Sequence, residues 1–265
     1  MRNASAAASK SADICKAAFV CNVCSTANER PAADFGRETA SCSECGSTVR
    51  MRAIVHTLSQ ELYGRCMPID EFPKEPRYRG IGTSDWVGYG DRLAKRLDYT
   101  NTYYHQEPQL DITCPDKSLE GTLDFITSTD VFEHIVAPVG RAFEAARRLL
   151  KPDGVFIFSV PYNLEGETVE HFPNLHDWRI DRPEDGKPTL HNVTKDGQQE
   201  VFDDLVFHGG AGATLEMRVF TLPGIERDAA AAGFEKPRVY HASHMQCGML
   251  WEVDWSLTMA LRPKR

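Results

Sequence analysis

Two cysteine pairs near the start of the chain have the spacing of a metal site. Cys21 and Cys24 form one C-x2-C pair, Cys42 and Cys45 form a second, and 17 residues separate the pairs. In a reducing compartment such pairs indicate a metal site rather than disulfides. Two thiolates three residues apart on a tight turn can bind one ion, and two such turns complete a tetrahedral shell. The spacing predicts a four-cysteine zinc site; four thiolates also suit iron, and two unrelated thiol pairs in a redox-sensitive loop are the alternative.

The role of this predicted site is structural, because four protein ligands leave no position for a substrate. The metal would let a segment of about 35 residues fold without a large core. Gly46 follows the second pair and suits a turn with positive φ. Cys15 is a further candidate ligand with poor spacing, whereas Cys66, Cys114 and Cys247 are scattered and are predicted to be small buried hydrophobes.

The elements that must position further chemistry begin after this segment. A helical pattern after the second cysteine pair ends at Gly64, and a proline-containing stretch over residues 67–78 is the predicted linker. From about Arg77, short apolar runs alternate with helical runs, which predicts an α/β fold with a largely parallel open sheet. In such sheets the ligand lies beyond the carboxyl ends of the strands.

The charge balance of the 265 residues also changes after about residue 66. Residues 1–66 contain 8 Lys and Arg against 6 Asp and Glu, whereas the remainder contains 22 against 32, and the net charge is −8. The acidic balance is evidence against a protein that coats nucleic acid. The chain has neither an apolar run of the roughly 20 residues that a membrane span needs nor the apolar stretch of a signal peptide, so we expect a cytoplasmic protein without a membrane partner.

Two later segments resemble a known enzyme family. DFITSTDVFEH (residues 124–134) and RLLKPDGVFIFSVP (148–161) are similar to the second half of class I S-adenosylmethionine (SAM) dependent methyltransferases of the type 11 kind. CGSTVRMR (45–52) resembles a bacterial subgroup with a zinc ribbon before the methyltransferase domain. The resemblance implies a Rossmann-like, mostly parallel sheet with helices on both faces, preceded by a small zinc-ribbon lobe, and SAM and Zn²⁺ as cofactors.

The predicted organisation follows from this resemblance and from the composition. We expect a flexible tail over residues 1–18, the zinc ribbon and a connecting helix over 19–66, the linker, and the methyltransferase domain over 79–265. An insertion over 163–222 is too long for a simple connection within a compact domain. The resemblance implies that this insertion covers the site of the methyl acceptor.

The resemblance also implies the cofactor-binding residues. Where the family has a G-x-G-x-G loop after its first strand, this chain has only a G-x-G, and its glycines let the backbone approach the cofactor. Glu107, at the end of a predicted strand over residues 101–107, would bind the ribose hydroxyls, or is a surface residue before a proline. Asp111 and Ile112 would contact the adenine ring, and the end of the fourth strand would face the sulfonium. The predicted set is Gly80, Gly82, Glu107, Asp111, Ile112, Thr129 and Asp130.

Three histidines are the candidate catalytic residues. His134 titrates near the working pH and would be a general base, or a structural histidine that holds its loop, which is the favoured interpretation. His171 and His176 lie in the insertion, where they would contact the acceptor or act as a base. A second metal site and ordinary polar packing are the alternatives for this pair.

The predicted reaction is methyl transfer from SAM to a small molecule such as a sugar or a secondary metabolite. Two rival hypotheses remain at this point. The first is an RNA methyltransferase whose slightly basic front lobe, with Arg50 and Arg52, contacts RNA. The second is a non-catalytic scaffold whose altered glycine loop has lost SAM.

Overall fold

The computed structural model describes residues 16–74, 77–184, 186–208 and 214–265, and four α-helices lie in these ranges. They are α1 (Val49–Tyr63), α2 (Val87–Arg96), α3 (Gly140–Leu149) and α4 (Leu222–Ala231). Short 3-10 helices span Ala32–Asp34, Ile69–Glu71, Lys117–Leu119, Phe132–His134 and Met245–Cys247. None of the helices in the described ranges is long and apolar enough to cross a bilayer.

Strands connect these helices along the chain. They are β1 (Lys16–Val20), β2 (Ala27–Pro31), β3 (Arg79–Thr83), β4 (Asp98–Thr102), β5 (Leu123–Thr129), β6 (Leu150–Ser159), β7 (Tyr162–Asn163), β8 (Val169–Glu170), β9 (Asp177–Asp181), β10 (Thr189–Val193), β11 (Gln199–Phe202), β12 (Phe207–His208), β13 (Thr214–Leu215), β14 (Arg218–Thr221), β15 (Arg238–Val239) and β16 (Met259–Leu261).

A six-stranded sheet with the order β15-β16-β6-β5-β3-β4 forms the centre of the molecule. Strands β4, β3, β5 and β6 are parallel neighbours, and β16 is antiparallel to both of its neighbours. Parallel strands need crossover connections, and α2 and α3 supply two of them. The predicted α/β fold with a mostly parallel sheet is confirmed.

Helices cover both faces of this sheet because its central strands are apolar on both sides. Phe125 of β5 and Ile157 of β6 point to the face that packs against α1 and α2. Ile126 and Phe156, one position away on the same strands, point to the face that packs against α3 and α4. Successive side chains of a strand alternate between faces, so continuous apolar runs produce two cores.

The N-terminal segment packs onto the first of these cores. β1 and β2 form an antiparallel hairpin, and Phe19 and Cys21 belong to the same buried cluster as α1 and the sheet. Helix α1 is capped by the Thr48 side chain, and it ends where Gly64 adopts φ 70°, as the sequence predicts. The N-terminal segment is therefore continuous with one core of the central sheet through α1.

The boundaries differ from the predicted ones in three places. Strand β1 begins at Lys16, so residues 16–18 of the expected tail are in a strand, and residues 1–15, including Cys15, lie outside the described residues. The predicted strand over residues 101–107 corresponds to β4, which already ends at Thr102. The expected linker contains a 3-10 turn, and Ile69 of this turn and the following Phe72 are buried in the core.

The predicted insertion contains small sheets, which are antiparallel except that β14 pairs with β7 in parallel. Strands β9, β10 and β11 form a three-stranded sheet, β12 pairs with β13, and β14 lies between β7 and β8. Phe172, Leu190, Leu215 and Met217 form a buried cluster of their own within this region. The insertion is thus an ordered layer with its own core, which the sequence did not indicate.

Candidate functional site

A cavity of about 1160 Å³ lies at the carboxyl ends of β3, β4 and β5. The strand ends contribute Thr83 and Ser84, residues 102–106, and Asp130 and Val131. The insertion contributes a facing wall of Trp178, Ile180, Arg182, Phe207, His208, Thr214, Leu215 and Met217. We call this space the strand-end cavity, and its position is the one expected for a ligand site in an open α/β sheet.

The N-terminal segment supplies a charged part of the cavity wall. Arg37 contacts both oxygens of Asp130, with Nη2–Oδ1 at 2.9 Å and Nη1–Oδ2 at 3.2 Å. Arg50 on α1 lies 3.2 Å from the same carboxylate through Nε and donates from Nη1 to Thr129 Oγ1 at 2.8 Å. Glu38 pairs with both arginines. The predicted cofactor residues Thr129 and Asp130 are thus held by side chains of the ribbon and α1.

Both predicted glycines lie within β3 rather than in a loop. A Cβ on Gly80 would lie 2.3 Å from the Phe125 ring, and one on Gly82 would lie 2.0 Å from Tyr99 Oη and 2.4 Å from Asp85 Oδ2. The two positions therefore require glycine because neighbouring protein side chains occupy the space that a Cβ would fill. Two residues that line the cavity have positive φ, namely Ser84, at φ 57° directly after β3, and Asp130, at φ 53° directly after β5.

Hydrogen bonds of Asp85 stabilise the turn that carries Ser84. Its buried carboxylate accepts from Tyr99 Oη at 2.7 Å and from the Thr127 hydroxyl. Burial raises the pKa of Asp85 to about 6, and the hydrogen bonds from Thr127 and Tyr99 oppose that shift. Asn101 adds two bonds to the Asp85 backbone, at 2.9 and 2.8 Å. The turn that carries Ser84 is consequently rigid.

The predicted residues after β4 have different positions. Asp111 and Ile112 line the strand-end cavity, and Ile112 is buried. Asp111 Oδ1 accepts from the backbone and hydroxyl of Thr113 at 2.8 and 2.7 Å, which fixes the carboxylate. Glu107 is exposed, does not line the cavity, and accepts from the Gln109 backbone at 3.0 Å. Of the seven predicted cofactor residues, Asp111, Ile112 and Asp130 line the cavity.

Glu133 is a buried carboxyl group at the cavity wall. Only 1% of its surface is exposed, and neither carboxyl oxygen has a hydrogen-bond partner among the described residues. Burial raises the pKa of Glu133 to about 8, and the charge of Asp130 adds to the shift. Such a group exchanges its proton near neutral pH, which is a property of catalytic acids and bases.

His134 lies beside Glu133 with its tautomer fixed. Nδ1 lies 3.0 Å from the carbonyl oxygen of Leu215, which only accepts, so we assign the proton to Nδ1 and the lone pair to Nε2. Nε2 lies 3.8 Å from Glu133 Oε1. Burial lowers the pKa of His134, which keeps the ring neutral at pH 7. The ring can therefore accept a proton from a group in the cavity.

Glu216 binds two further histidines, and one of them contacts His134. Its Oε1 lies 2.9 Å from His171 Nε2, and its Oε2 lies 2.9 Å from His208 Nε2. The ring of His208 packs edge-on against His134 with centroids 5.3 Å apart. The structure thus brings His134 and His171 into one polar cluster. His171 does not line the cavity itself, because Glu216 lies between it and His208 of the cavity wall. His176 is exposed and does not line the cavity.

The four cysteines of the predicted metal site converge. The sulfur atoms of four cysteines lie within 4.8 Å of one another: Cys21, Cys24, Cys42 and Cys45. The Cys21–Cys45 and Cys24–Cys42 distances are 3.8 and 3.5 Å. A tetrahedral ion with Zn–S bonds of about 2.3 Å would hold its sulfurs about 3.8 Å apart. The site therefore has the donor set and the size for zinc.

The two cysteine turns have the same backbone geometry. The backbone N–H of Ser25 donates to the Cys21 carbonyl at 2.8 Å, and that of Gly46 donates to the Cys42 carbonyl at 3.1 Å. Gly46 has φ 71°, as its position in the sequence predicts, and Ser25 has φ 63°. Both turns thus place a left-handed residue directly after the second cysteine.

The remaining cysteines differ from the prediction in part. Cys247 is buried, as expected, whereas Cys66 and Cys114 are exposed. Both of these residues lie in turns or loops rather than in regular elements, and apolar character alone does not bury a residue there.

The two arginines that favoured RNA contact are occupied by the protein itself. Arg52 is fully buried, and it donates to the Gly248 carbonyl, from Nη2 at 2.7 Å, and to Ser41 Oγ at 2.7 Å. Arg50 is mostly buried and paired with Glu38 and Asp130. Neither side chain is free to bind a phosphate, so the sequence-based support for an RNA acceptor is lost.

Comparison with known proteins identifies the class of enzyme. Residues 66–195, just under half of the chain, match the family model described as a methyltransferase domain. The match covers β3, β4 and β5, whose carboxyl ends form one side of the strand-end cavity. It confirms the prediction of a SAM-dependent methyltransferase. A comparison with curated proteins found no match.

Solved structures of methyltransferases are similar to this chain at low identity. The sugar N-methyltransferase KedS8 from a Streptoalloteichus species is 15% identical, with 79% of this chain and 85% of that chain covered and a TM-score of 0.43. A SAM-dependent methyltransferase from Clostridium acetobutylicum is 15% identical, with 71% and 84% covered and a TM-score of 0.38. The 1,6-didemethyltoxoflavin N1-methyltransferase from Burkholderia thailandensis is 15% identical, with 82% and 90% covered and a TM-score of 0.40.

Sequence reasoning missed several residues of the site. Arg37 and Glu38 lie in a loop of the ribbon and line the cavity only because the ribbon packs against the end of β5. Glu216 and His208 are widely spaced from His134, and no local pattern relates them. Glu133 carries a usable signal, because an acidic residue that follows the apolar pair Val131 and Phe132 shortly after a buried strand lies near the carboxyl end of that strand, where an open α/β sheet binds its ligand.

Proposed function

We propose that this protein transfers a methyl group from SAM to a small-molecule acceptor bound in the strand-end cavity. The observation that carries the proposal is the cavity itself, with about 1160 Å³ between the strand ends and the insertion. Drug-sized ligands occupy pockets of about 300–1,000 Å³, so this volume accommodates a cofactor together with a small acceptor. The methyltransferase domain match covers the strand-end side of the cavity.

The chain's residues suit SAM on one side of this space. When bound, SAM supplies an activated methyl group on a sulfonium to a nucleophile. Ser84 offers backbone at the turn after β3, and the pair Asp111 and Ile112 offers a fixed carboxylate beside an apolar surface. Glu107 does not line the cavity, so we assign Asp111 as the carboxylate that binds the cofactor near the ends of β3 and β4. Asp130 contributes negative charge, which its two arginines balance.

The proton of the acceptor is accepted by His134 or Glu133. His134 presents the lone pair of Nε2. Glu133 has no hydrogen-bond partner among the described residues, and with a pKa of about 8 its carboxyl group can accept a proton in its ionised form, whose share grows as pH approaches that value. A hydroxyl or ammonium acceptor must lose a proton during methyl transfer, and a positioned base contributes typically 10²–10⁴-fold to such steps. Glu216 fixes the neighbouring His208, which keeps the wall at this point rigid.

A small molecule is favoured over RNA as the acceptor by the shape and charge of the site. The insertion faces the strand ends across the cavity, and its wall includes Trp178, Ile180 and Phe207, which suit a compact apolar or ring-shaped ligand. Arg50 and Arg52 are occupied within the protein. Binding to RNA requires free cations along a surface, because phosphate contacts supply most of its affinity.

We further propose that the four-cysteine site holds zinc in a structural role. Four sulfurs complete the shell, so no position is left for a substrate. The site fixes the loop that carries Arg37, and Arg37 in turn reaches Asp130 at the cavity. Zinc therefore supports the active site by holding its wall in place.

Calorimetric titration of the zinc-loaded protein with SAM and with S-adenosylhomocysteine tests the cofactor. We expect binding of both at one site per chain, and a folded protein that binds neither would contradict the enzymatic proposal in favour of the scaffold. The acceptor class is tested with SAM carrying a tritiated methyl group and a cell extract separated into small molecules, RNA and protein. Label in the small-molecule fraction supports the proposal, whereas label confined to RNA or protein overturns it.

A further inference from the structure

A second group of metal-ligating side chains lies outside the four-cysteine site and the strand-end cavity. It consists of His56 on α1, Cys66 shortly after the end of α1, and Cys247 at the end of a 3-10 helix near the C-terminus. One ligand atom from each residue lies within 4.8 Å of the other two. We call these three residues the α1 cluster.

A buried nitrogen of His56 without a hydrogen-bond partner among the described residues is the first evidence for a ligand at this cluster. His56 is 2% exposed, and its Nδ1 has no hydrogen-bond partner among the described residues. An unpaired buried polar atom of this kind costs about 1–3 kcal/mol, so proteins rarely leave one without a reason. The Cys247 thiol nearby is 3% exposed, and its hydrogen bond goes to the His244 carbonyl at 3.3 Å. Coordination of a cation through Nδ1 would give this nitrogen of His56 its missing contact.

The donor set selects the ion. Two cysteines and one histidine combine soft sulfur with imidazole, which is the set that zinc prefers, whereas magnesium and calcium require oxygen ligands. In a tetrahedral zinc site the ligand atoms lie about 3–4 Å apart, and movements of single side chains suffice to reach this from the observed spacing. The ring of His244 packs against that of His56, with centroids 4.2 Å apart, and is the nearest further imidazole for the fourth position.

We propose that His56, Cys66 and Cys247 form a second, structural zinc site, distinct from the four-cysteine site. Binding replaces the two thiol protons, which leave to solvent, and forms two Zn–S bonds and one Zn–N bond. The ion would join α1, the segment that follows it, and the C-terminal segment. Arg52 already links α1 to the Gly248 carbonyl in this segment, so the proposed site and the buried arginine hold the same two elements together.

The test is the zinc content of the full chain, purified with a thiol reductant and measured by mass spectrometry of the metal. We expect two zinc ions per chain in the wild type and one in Cys66→Ser, in which only an exposed residue is changed. Cys114→Ser is the matched control, since this exposed cysteine lies outside both clusters, and it should retain two. A Cys45→Ser variant identifies the ion that belongs to the other site.

Substitution with Co²⁺ provides a second measurement that does not depend on the count. The sulfur-to-cobalt charge-transfer absorbance should fall by about one third in Cys66→Ala, in Cys247→Ala and in the double variant. Either single change leaves too few ligands to hold the ion, so both thiolates of this site, out of six in the two sites, no longer bind cobalt. One zinc per wild-type chain at saturating zinc overturns the proposal, as does an unchanged zinc content in folded Cys66→Ser. A Cys66–Cys247 disulfide recovered from protein that holds a single zinc also overturns it.

Discussion

The guanidinium of Arg37 and the carboxylate of Asp130 form a two-point ion pair between the ribbon and the end of β5. Nη2 lies 2.9 Å from Oδ1 and Nη1 lies 3.2 Å from Oδ2, and both side chains line the strand-end cavity. Asp130 has φ 53°, a backbone conformation that residues other than glycine rarely adopt. The N-terminal segment therefore stabilises an unusual turn at the carboxyl end of a central strand.

Replacement of Arg37 by Ala should loosen this turn. The side chains are only 13% and 23% exposed, so we expect a loss of about 1–3 kcal/mol in the free energy of unfolding. Affinity for S-adenosylhomocysteine should fall as well, because the turn is part of the cavity wall. Denaturant unfolding and calorimetry measure the two effects. Arg179→Ala removes an exposed pair with Asp181 and should change neither by more than experimental error, whereas equal losses in both variants would contradict the argument.

Glu133→Gln should change the pH dependence of stability. The unfolded chain titrates this group near its ordinary pKa of 4.5, whereas burial raises the pKa in the folded state to about 8. Between these values the folded protein holds one more proton than the unfolded chain, so the wild type loses stability as pH rises from about 5 to about 8. The variant cannot lose that proton.

Denaturant unfolding at pH 5.5, 7 and 8.5 measures this difference. We expect the variant to gain stability relative to the wild type as pH rises. Glu165→Gln, at an exposed position, serves as the control and should follow the wild type at every pH. Parallel profiles for Glu133→Gln and the wild type would show that the carboxyl group has an ordinary pKa in the folded protein.

His134→Asn should reduce kcat without a matching loss of cofactor affinity. The asparagine amide can still donate to the Leu215 carbonyl, so the loop is preserved while the basic nitrogen is removed. A lost general base lowers kcat by typically 10²–10⁴-fold. The transfer of tritiated methyl to the identified small-molecule acceptor gives kcat, and calorimetry gives the affinity for S-adenosylhomocysteine.

His176→Asn is the matched control for this experiment. His176 is exposed and does not line the strand-end cavity, so kcat should stay within about twofold of the wild type. If both variants retain full activity, His134 has the structural role, and Glu133 remains the base to be tested by the pH profile of kcat.

Gly82→Ala should be strongly destabilising although the change is one methyl group. The new Cβ would lie 2.0 Å from Tyr99 Oη and 2.4 Å from Asp85 Oδ2, where the buried hydrogen-bond network has no space to move. We expect a loss of about 2–4 kcal/mol, in the range of overpacking combined with a broken buried hydrogen bond. Thermal and denaturant unfolding measure it.

Gly140→Ala provides the comparison, because nothing lies within 4 Å of its Cβ position at the start of α3. This variant should be neutral or more stable by up to about 1 kcal/mol, since alanine favours the helix. Similar effects at the two glycines would mean that β3 tolerates a side chain facing Tyr99, contrary to the packing described here.

Local patterns were sufficient for the framework of the molecule. The spacing of Cys21, Cys24, Cys42 and Cys45 predicted their convergence, because each pair needs only its own turn to aim both sulfurs at one point. Apolar periodicity and the glycine at position 64 located α1 and its end. The alternation of short apolar runs with helical runs predicted a largely parallel sheet, and the family resemblance implied helices on both of its faces.

Other features of this protein arise only when distant segments pack together. Gly80 and Gly82 were predicted to face a cofactor, yet they face Phe125 and Tyr99, because the neighbouring strands of the sheet decide what lies against each position. The lack of a hydrogen-bond partner for Glu133 among the described residues depends on every element that surrounds it. The α1 cluster joins residues from a helix, a turn and the C-terminal segment, which no spacing rule relates. The sequence by itself determined the elements and the class of chemistry, whereas burial and contacts between distant residues, which are properties of the packed chain, decided which side chains form the site.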